Sequence, residues 1–90
     1  MAVYVDELFE GSGNKQFKWK ISCHMLADSK EELIEFAKKI GLKEEWLQKS
    51  ASGIFHFDLN IRKRRRAIER GAKEIGRKEV SNRRWPREDP

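Results

Sequence analysis

The chain has a single cysteine, Cys23, in 90 residues. That excludes an internal disulfide and any metal site built from several thiolates. Only two prolines occur, Pro86 and Pro90, so nothing earlier interrupts a helix or strand from within. No apolar run reaches membrane length, and no basic-then-apolar leader opens the chain. The expectation is a cytoplasmic protein that contacts no membrane. Internal repeats are lacking too, and Gly11-Ser12-Gly13 has no Lys-Ser/Thr ending of the kind that cradles a nucleotide phosphate.

Acidic charge is scarce in one half. Residues 1–45 carry 7 basic and 9 acidic side chains, whereas residues 46–90 carry 13 and 6. The net charge of +5 therefore sits in the C-terminal half, which is the half suited to an anionic partner. Apolar residues make up 38% of the chain and charged residues 39%, a composition that folds but stays strongly solvated. A chain this short forms one domain and buries roughly 60–65% of its unfolded surface, a margin that would suit a homo-oligomer.

Local patterns divide the chain. Ala2-Val3-Tyr4-Val5-Asp6 is a short strand ending in a carboxylate, and Glu10 to Gln16 is loop chemistry. From Phe17, strict alternation puts Phe17, Trp19, Ile21, Cys23 and Met25 on one face and Lys18, Lys20, Ser22 and His24 on the other. A helix follows, capped by Ser29 with Glu32 or by Asp28 with Glu31. Its stripe is Leu33, Ile34, Phe36, Ala37 and Ile40, and Gly41 is its stop. Lys43 to Lys49 reads as one or two further helical turns, Ser50 to Gly53 as a turn, and Ile54 to Asp58 as a strand. Asn60 caps a second helix over Ile61–Arg70 with Gly71 as its stop, and Lys73 to Arg77 reads as a last strand.

The expected fold is a small single-domain α/β protein in the order β-β-α-β-α-β. Its four-stranded sheet is largely parallel or mixed, and both main helices lie on one face. The domain spans residues 1–80, and residues 81–90 form a mobile C-terminal tail in which Trp85 is the residue able to dock.

In open α/β sheets, ligands sit beyond the carboxyl ends of the strands. Asp6, His24 and Asp58 each close a predicted strand, so parallel strands would gather them at one rim. They are the candidate catalytic residues and, with water completing the shell, candidate ligands of a divalent metal ion. Each alone has a plainer reading, because a carboxylate after a strand is commonly a turn or cap residue. His56 projects to the same face as Asp58 and forms a second candidate pair. The run Arg62-Lys63-Arg64-Arg65-Arg66 opens the second helix, and Arg64 falls within that helix's apolar stripe, where it needs a carboxylate or a bound anion. His56, Lys63, Arg64, Arg65 and Arg66 are accordingly the candidate contacts to a phosphate-bearing ligand. The plainer alternative is a solvated basic face.

Several short blocks agree with a known family. Val3-Tyr4-Val5-Asp6, Cys23-His24-Met25-x-Ala27-Asp28, Ile40-Gly41, Trp46-x-Gln48, His56-Phe57-Asp58-Leu59, Lys63-Arg64 and Gly71-Ala72 resemble the small bacterial and phage family catalogued as Domain of Unknown Function 4031. The resemblance spans roughly residues 2–76. It implies a compact single domain and lends no catalytic role. The Glu10–Gln16 loop and the arginines at 65 and 66 depart from the family pattern.

Three functions are compatible with these residues. One is a small enzyme or nucleotide-binding domain in which Asp6, His24 and Asp58 work on a phosphate-bearing substrate, with metal-assisted hydrolysis. Another is a non-catalytic nucleic-acid-binding protein that uses the arginine helix and Arg83-Arg84-Trp85. The third is a phage or host interaction module whose acidic and basic halves pair between subunits.

Overall fold

In the computed structural model, which describes residues 2–10 and 21–87, a seven-residue strand runs through the middle of a mixed sheet. The elements in chain order are β1 (Val3–Val5), β2 (Phe9–Glu10), β3 (Ile21–Ala27), α1 (Lys30–Lys39), a 3-10 turn (Glu44–Trp46), β4 (Gln48–Lys49), β5 (Phe55–Leu59), α2 (Ile61–Glu69), β6 (Lys73–Glu74) and α3 (Arg77–Asn82). The expected loop from Gly11 to Gln16 and the alternation through Phe17 and Trp19 lie outside the described residues.

Both main helices start and stop on short-range signals. Ser29 Oγ accepts the Glu32 amide at 3.1 Å, and Asn60 Oδ1 accepts the Lys63 amide at 2.8 Å. Gly41 (φ +86) and Gly71 (φ +110) follow the two helices in the left-handed conformation that side chains resist. Asp28 is not the cap. Its carboxylate instead accepts the Ala2 amide at 2.9 Å and tethers the start of β1.

The sheet is less parallel than expected. Five strands lie in the order β4-β5-β3-β1-β6, and β2 pairs with β3 off that path. Among the described residues, only β1 and β6 pair in parallel; β1–β3, β3–β5 and β4–β5 are antiparallel. The chain leaving α1 does not cross directly into the next sheet strand. It runs out along β4, reverses through Ser50–Gly53, and enters β5 from the opposite end. The region expected to be helical from Lys43 to Lys49 is thus a single 3-10 turn followed by β4. The β5–α2–β6 connection does keep the parallel crossover, passing over β3 and β1.

Period-two alternation sorts the sheet into two faces. Val3, Val5, Cys23, Met25, Ala27, Phe57 and Leu59 form one cluster with Leu33, Ala37 and Ile40 of α1 and Ala67 of α2. Fully buried side chains such as Phe57, Met25 and Leu33 each contribute about 1.5–3 kcal/mol by leaving water. The other face carries a smaller cluster of Tyr4, Leu26, Ile75 and Trp85, with Val80 of α3 packed against it.

That second cluster revises the C-terminal boundary. Lys73–Glu74 is the whole of the last strand, and the chain turns at once into α3, a short helix with no side-chain cap. Its sequence, Arg-Lys-Glu-Val-Ser-Asn, offers one apolar residue and no periodic stripe, so tertiary packing stabilises it. Trp85, the residue of the expected tail able to dock, is buried beneath it. The Trp85 indole N–H donates to the Val80 carbonyl at 2.8 Å, and the ring meets Tyr4 edge-on at 5.4 Å. Part of the stretch read as a tail therefore lies on the sheet, and the Phe55 amide donates to the Pro86 carbonyl at 3.2 Å.

Candidate metal centre on the sheet face opposite the two main helices

His24 alternates with Cys23 and Met25, and His56 and Asp58 alternate with Phe57. All three polar side chains therefore leave the sheet on the face that α1 and α2 do not cover. Antiparallel register then pairs His24 directly with Asp58 across β3 and β5. The gathering of Asp6, His24 and Asp58 has a different cause from the one expected. His24 sits in the middle of its strand, not at its end, and neighbouring antiparallel strands bring the residues side by side.

Asp6, just past β1, grips His24 at three points. The Asp6 amide donates to the His24 carbonyl at 3.1 Å, and the His24 amide donates to Asp6 Oδ1 at 2.6 Å. The imidazole Nδ1 lies 2.7 Å from Asp6 Oδ2. A carboxylate accepts, so Nδ1 carries the hydrogen and Nε2 turns to Asp58 Oδ1, 3.9 Å away. His56 repeats the arrangement with a different acceptor. Its Nδ1 lies 3.2 Å from the Ile54 carbonyl, which can only accept, and its Nε2 lies 3.7 Å from the same Asp58 oxygen.

Two imidazoles thus donate outward and present Nε2 inward to one carboxylate. The ligand atoms offered by His24, His56 and Asp58 lie within 4.8 Å of one another. Metal-bound histidines show this pattern, in which an outer acceptor fixes the tautomer and aims the other nitrogen. The donor set fits a cation. Two nitrogens and one oxygen suit a first-row divalent ion such as zinc and leave coordination positions for water or substrate. The expected metal set was Asp6, His24 and Asp58. Both Asp6 oxygens are hydrogen-bonded to His24, and the third ligand-type side chain beside His24 and Asp58 is His56.

The two rings differ in their affinity for a proton. The hydrogen bond to Asp6 holds the His24 pKa above its ordinary value, against the opposing pull of burial. Burial dominates at His56 and pushes its pKa down. Cys23 lies on the helix-covered face. Burial first, and then the negative charge of Asp6, push its thiol up to about 12, which removes it as a nucleophile or ligand.

The basic run does not surround this cluster. Arg64 reaches Asp6 at its backbone carbonyl, with Nε 3.1 Å away, and a terminal nitrogen pairs with Glu74 at 3.2 Å. That satisfies the cation within the apolar stripe and braces Asp6. Lys63 Nζ donates to the Ile40 carbonyl at 2.9 Å, tying α2 to the end of α1. Lys63, Arg65 and Arg66, expected as contacts to the same ligand, belong to a helix packed on the other side of the sheet. Among the described residues, α3 and the segment after it, which pack on that sheet face through Val80 and Trp85, carry the exposed Arg77, Lys78, Arg83 and Arg84.

Comparison with known proteins gives a family and no activity. The family described as a protein of unknown function, DUF4031, matches residues 3–86, and the chain belongs to it. No curated protein and no solved structure matches the chain.

Proposed function

We propose that this member of the family binds a divalent metal ion through His24, His56 and Asp58. It would use that ion on a phosphate-bearing ligand, a nucleotide or related phosphate ester, with hydrolysis as the reaction. One observation carries the reading: two histidines on different strands both donate from Nδ1 and aim Nε2 at one oxygen of Asp58. A purely structural pair of histidines has no need to share this orientation.

A metal held there supplies Lewis-acid charge against a phosphoryl oxygen and acidifies water. The chain's own residues do the rest. Asp6 orients His24 and sets its tautomer, while the Ile54 carbonyl does the same for His56. Asp58 contributes the anionic ligand. The exposed cations of α3 and the following residues make the surrounding face favourable to an anionic substrate. The alternative, a non-catalytic protein that holds nucleic acid, draws on a different surface, the outer side of α2.

The test is a thermal-shift series with zinc, cobalt, manganese and magnesium, run with the wild type and with His56→Ala. An ion at 100 times its Kd stabilises the folded state by about 2.7 kcal/mol, which corresponds to roughly 15 °C in a domain of this size. The wild type should respond to zinc or cobalt and the variant should not. A parallel assay follows phosphate release from a nucleotide panel and from 4-nitrophenyl phosphate. Equal shifts in both proteins would remove the metal centre. A metal response without phosphate release would remove the hydrolytic part.

A further inference from the structure

We propose that the outer face of α2 is a docking surface for the sugar-phosphate backbone of nucleic acid, separate from the metal centre. At about 100° per residue, Arg62, Arg65, Arg66 and Arg70 fall within an arc of about 140°, and all four are exposed. Ala67 and Ile68, on the opposite side of the helix, pack into the core. The remaining two cations are drawn away from the arc, Arg64 to Glu74 and Asp6, and Lys63 to the end of α1. Among the described residues, none of the four arc arginines joins an ion pair.

The contrast with α1 shows what is unusual. The exposed residues of α1 mix signs, with Glu31 and Glu35 beside Lys38 and Lys39, and they follow the helix dipole with an acidic first turn and a basic last turn. α2 has no acidic residue in its first turn, and its arc carries a single carboxylate, Glu69. Arg62, Arg66 and Arg70 repeat at four-residue spacing, so they repel one another along the helix. Isolated α2 is therefore electrostatically unfavourable, and a row of phosphates turns each of these terms favourable.

The partner follows from the side chains. All four cations are arginines, whose planar fork binds phosphate oxygens two at a time. Arg62 to Arg70 spans about 12 Å of helix axis, and a duplex presents one negative charge per about 1.7 Å, so several phosphates face the arc at once. The proposal is confined to the sugar-phosphate backbone, whose charge is the same for every sequence. A lipid surface fits less well. Membrane-surface helices turn several Leu, Phe or Trp into the bilayer, whereas Ala67 and Ile68 of α2 pack against the sheet and Ile61 is its one exposed apolar side chain. Because α1 and α2 cover one sheet face and His24, His56 and Asp58 leave by the other, nucleic acid on α2 does not approach the metal ligands.

The experiment measures fluorescence anisotropy of a random-sequence DNA duplex against the full chain at several salt concentrations. Four phosphate contacts predict that affinity falls about 100-fold between 50 and 200 mM salt. Arg65→Glu with Arg66→Glu should cut the salt slope by about half and abolish measurable binding at 200 mM, with an unchanged circular dichroism spectrum. Asp58→Ala and the pair Arg83→Glu with Arg84→Glu should bind as the wild type does. The proposal is overturned if the Arg65/Arg66 variant keeps the wild-type slope, or if the Arg83/Arg84 variant loses binding instead. It is equally overturned if the protein ignores DNA and binds phosphatidylserine vesicles. None of these readouts involves a metal, so they stand or fall apart from the hydrolytic reading.

Discussion

His24 and His56 meet edge to face, with ring centroids 5.2 Å apart and planes at 89°. Each donates from Nδ1 to a different acceptor, Asp6 for one and the Ile54 carbonyl for the other. The pairing places two imidazole nitrogens beside one carboxylate oxygen without a direct hydrogen bond between the rings and that oxygen, since the separations are 3.9 and 3.7 Å.

Asp6→Asn should weaken metal binding by about 10- to 100-fold while leaving the fold intact. The amide offers one acceptor where the carboxylate offers two, so the aim of His24 loosens and its Nε2 becomes less basic. Isothermal titration with zinc, alongside an NMR titration of the His24 ring, checks this. Unchanged zinc affinity would show that Asp6 does not support the ligand.

The two histidines should give opposite contributions to stability as pH changes. His24, raised by its bond to Asp6, stabilises the folded state fully below the unfolded value of about 6.5, and that gain is lost as pH rises through its folded pKa. His56, lowered mainly by burial, contributes stability above about 6.5 that is lost as pH falls towards its folded pKa. The change in Tm from pH 7.5 to pH 5.5 should therefore be more negative in His24→Gln and less negative in His56→Gln than in the wild type. Equal changes in all three would contradict the assigned tautomers and partners.

Removing Trp85 should unfold the C-terminal segment and destabilise the whole domain. The side chain is 5% exposed, packs on Tyr4 and donates to the Val80 carbonyl. Trp85→Ala should cost about 3 kcal/mol, read as a lower urea midpoint. Amide exchange should become fast through Arg77–Asn82. A truncation after residue 80 should behave similarly, where loss of a free tail would be neutral.

Cys23 should react with a thiol reagent only through unfolding. Its side chain is fully buried and its thiol is pushed up to about 12. Labelling by dithionitrobenzoate at pH 8 should be negligible in buffer and should follow the urea unfolding curve. Rapid labelling of the native protein would place Cys23 on a surface that the sheet does not have.

Much of the local structure could be read before the fold was known. The caps at Ser29 and Asn60 and the stops at Gly41 and Gly71 involve hydrogen bonds or φ angles within a few residues, so the residues themselves carry the signal. The alternation around Cys23 correctly set His24 on the other side of the strand from Cys23 and Met25. Arg64 within the apolar stripe correctly demanded a partner, which proved to be Glu74 together with the Asp6 carbonyl. α3 could not be read, because one valine and an absent cap leave no periodic signal, and its support comes from Trp85 and Tyr4.

By itself, the sequence determined where the two main helices run and which side chains share a face of each strand, since both depend on the backbone's own repeat. It also determined that the positive charge gathers in the second half. Tertiary structure alone decided the direction of β5, and with it the pairing of His24 with Asp58 and the placing of His56 beside them. It also decided that the arginines of α2 lie across the sheet from that cluster. The reason is that strand direction and layer depend on the whole path of a connection: the β4 detour turns β5 around, and no residue in β5 records it.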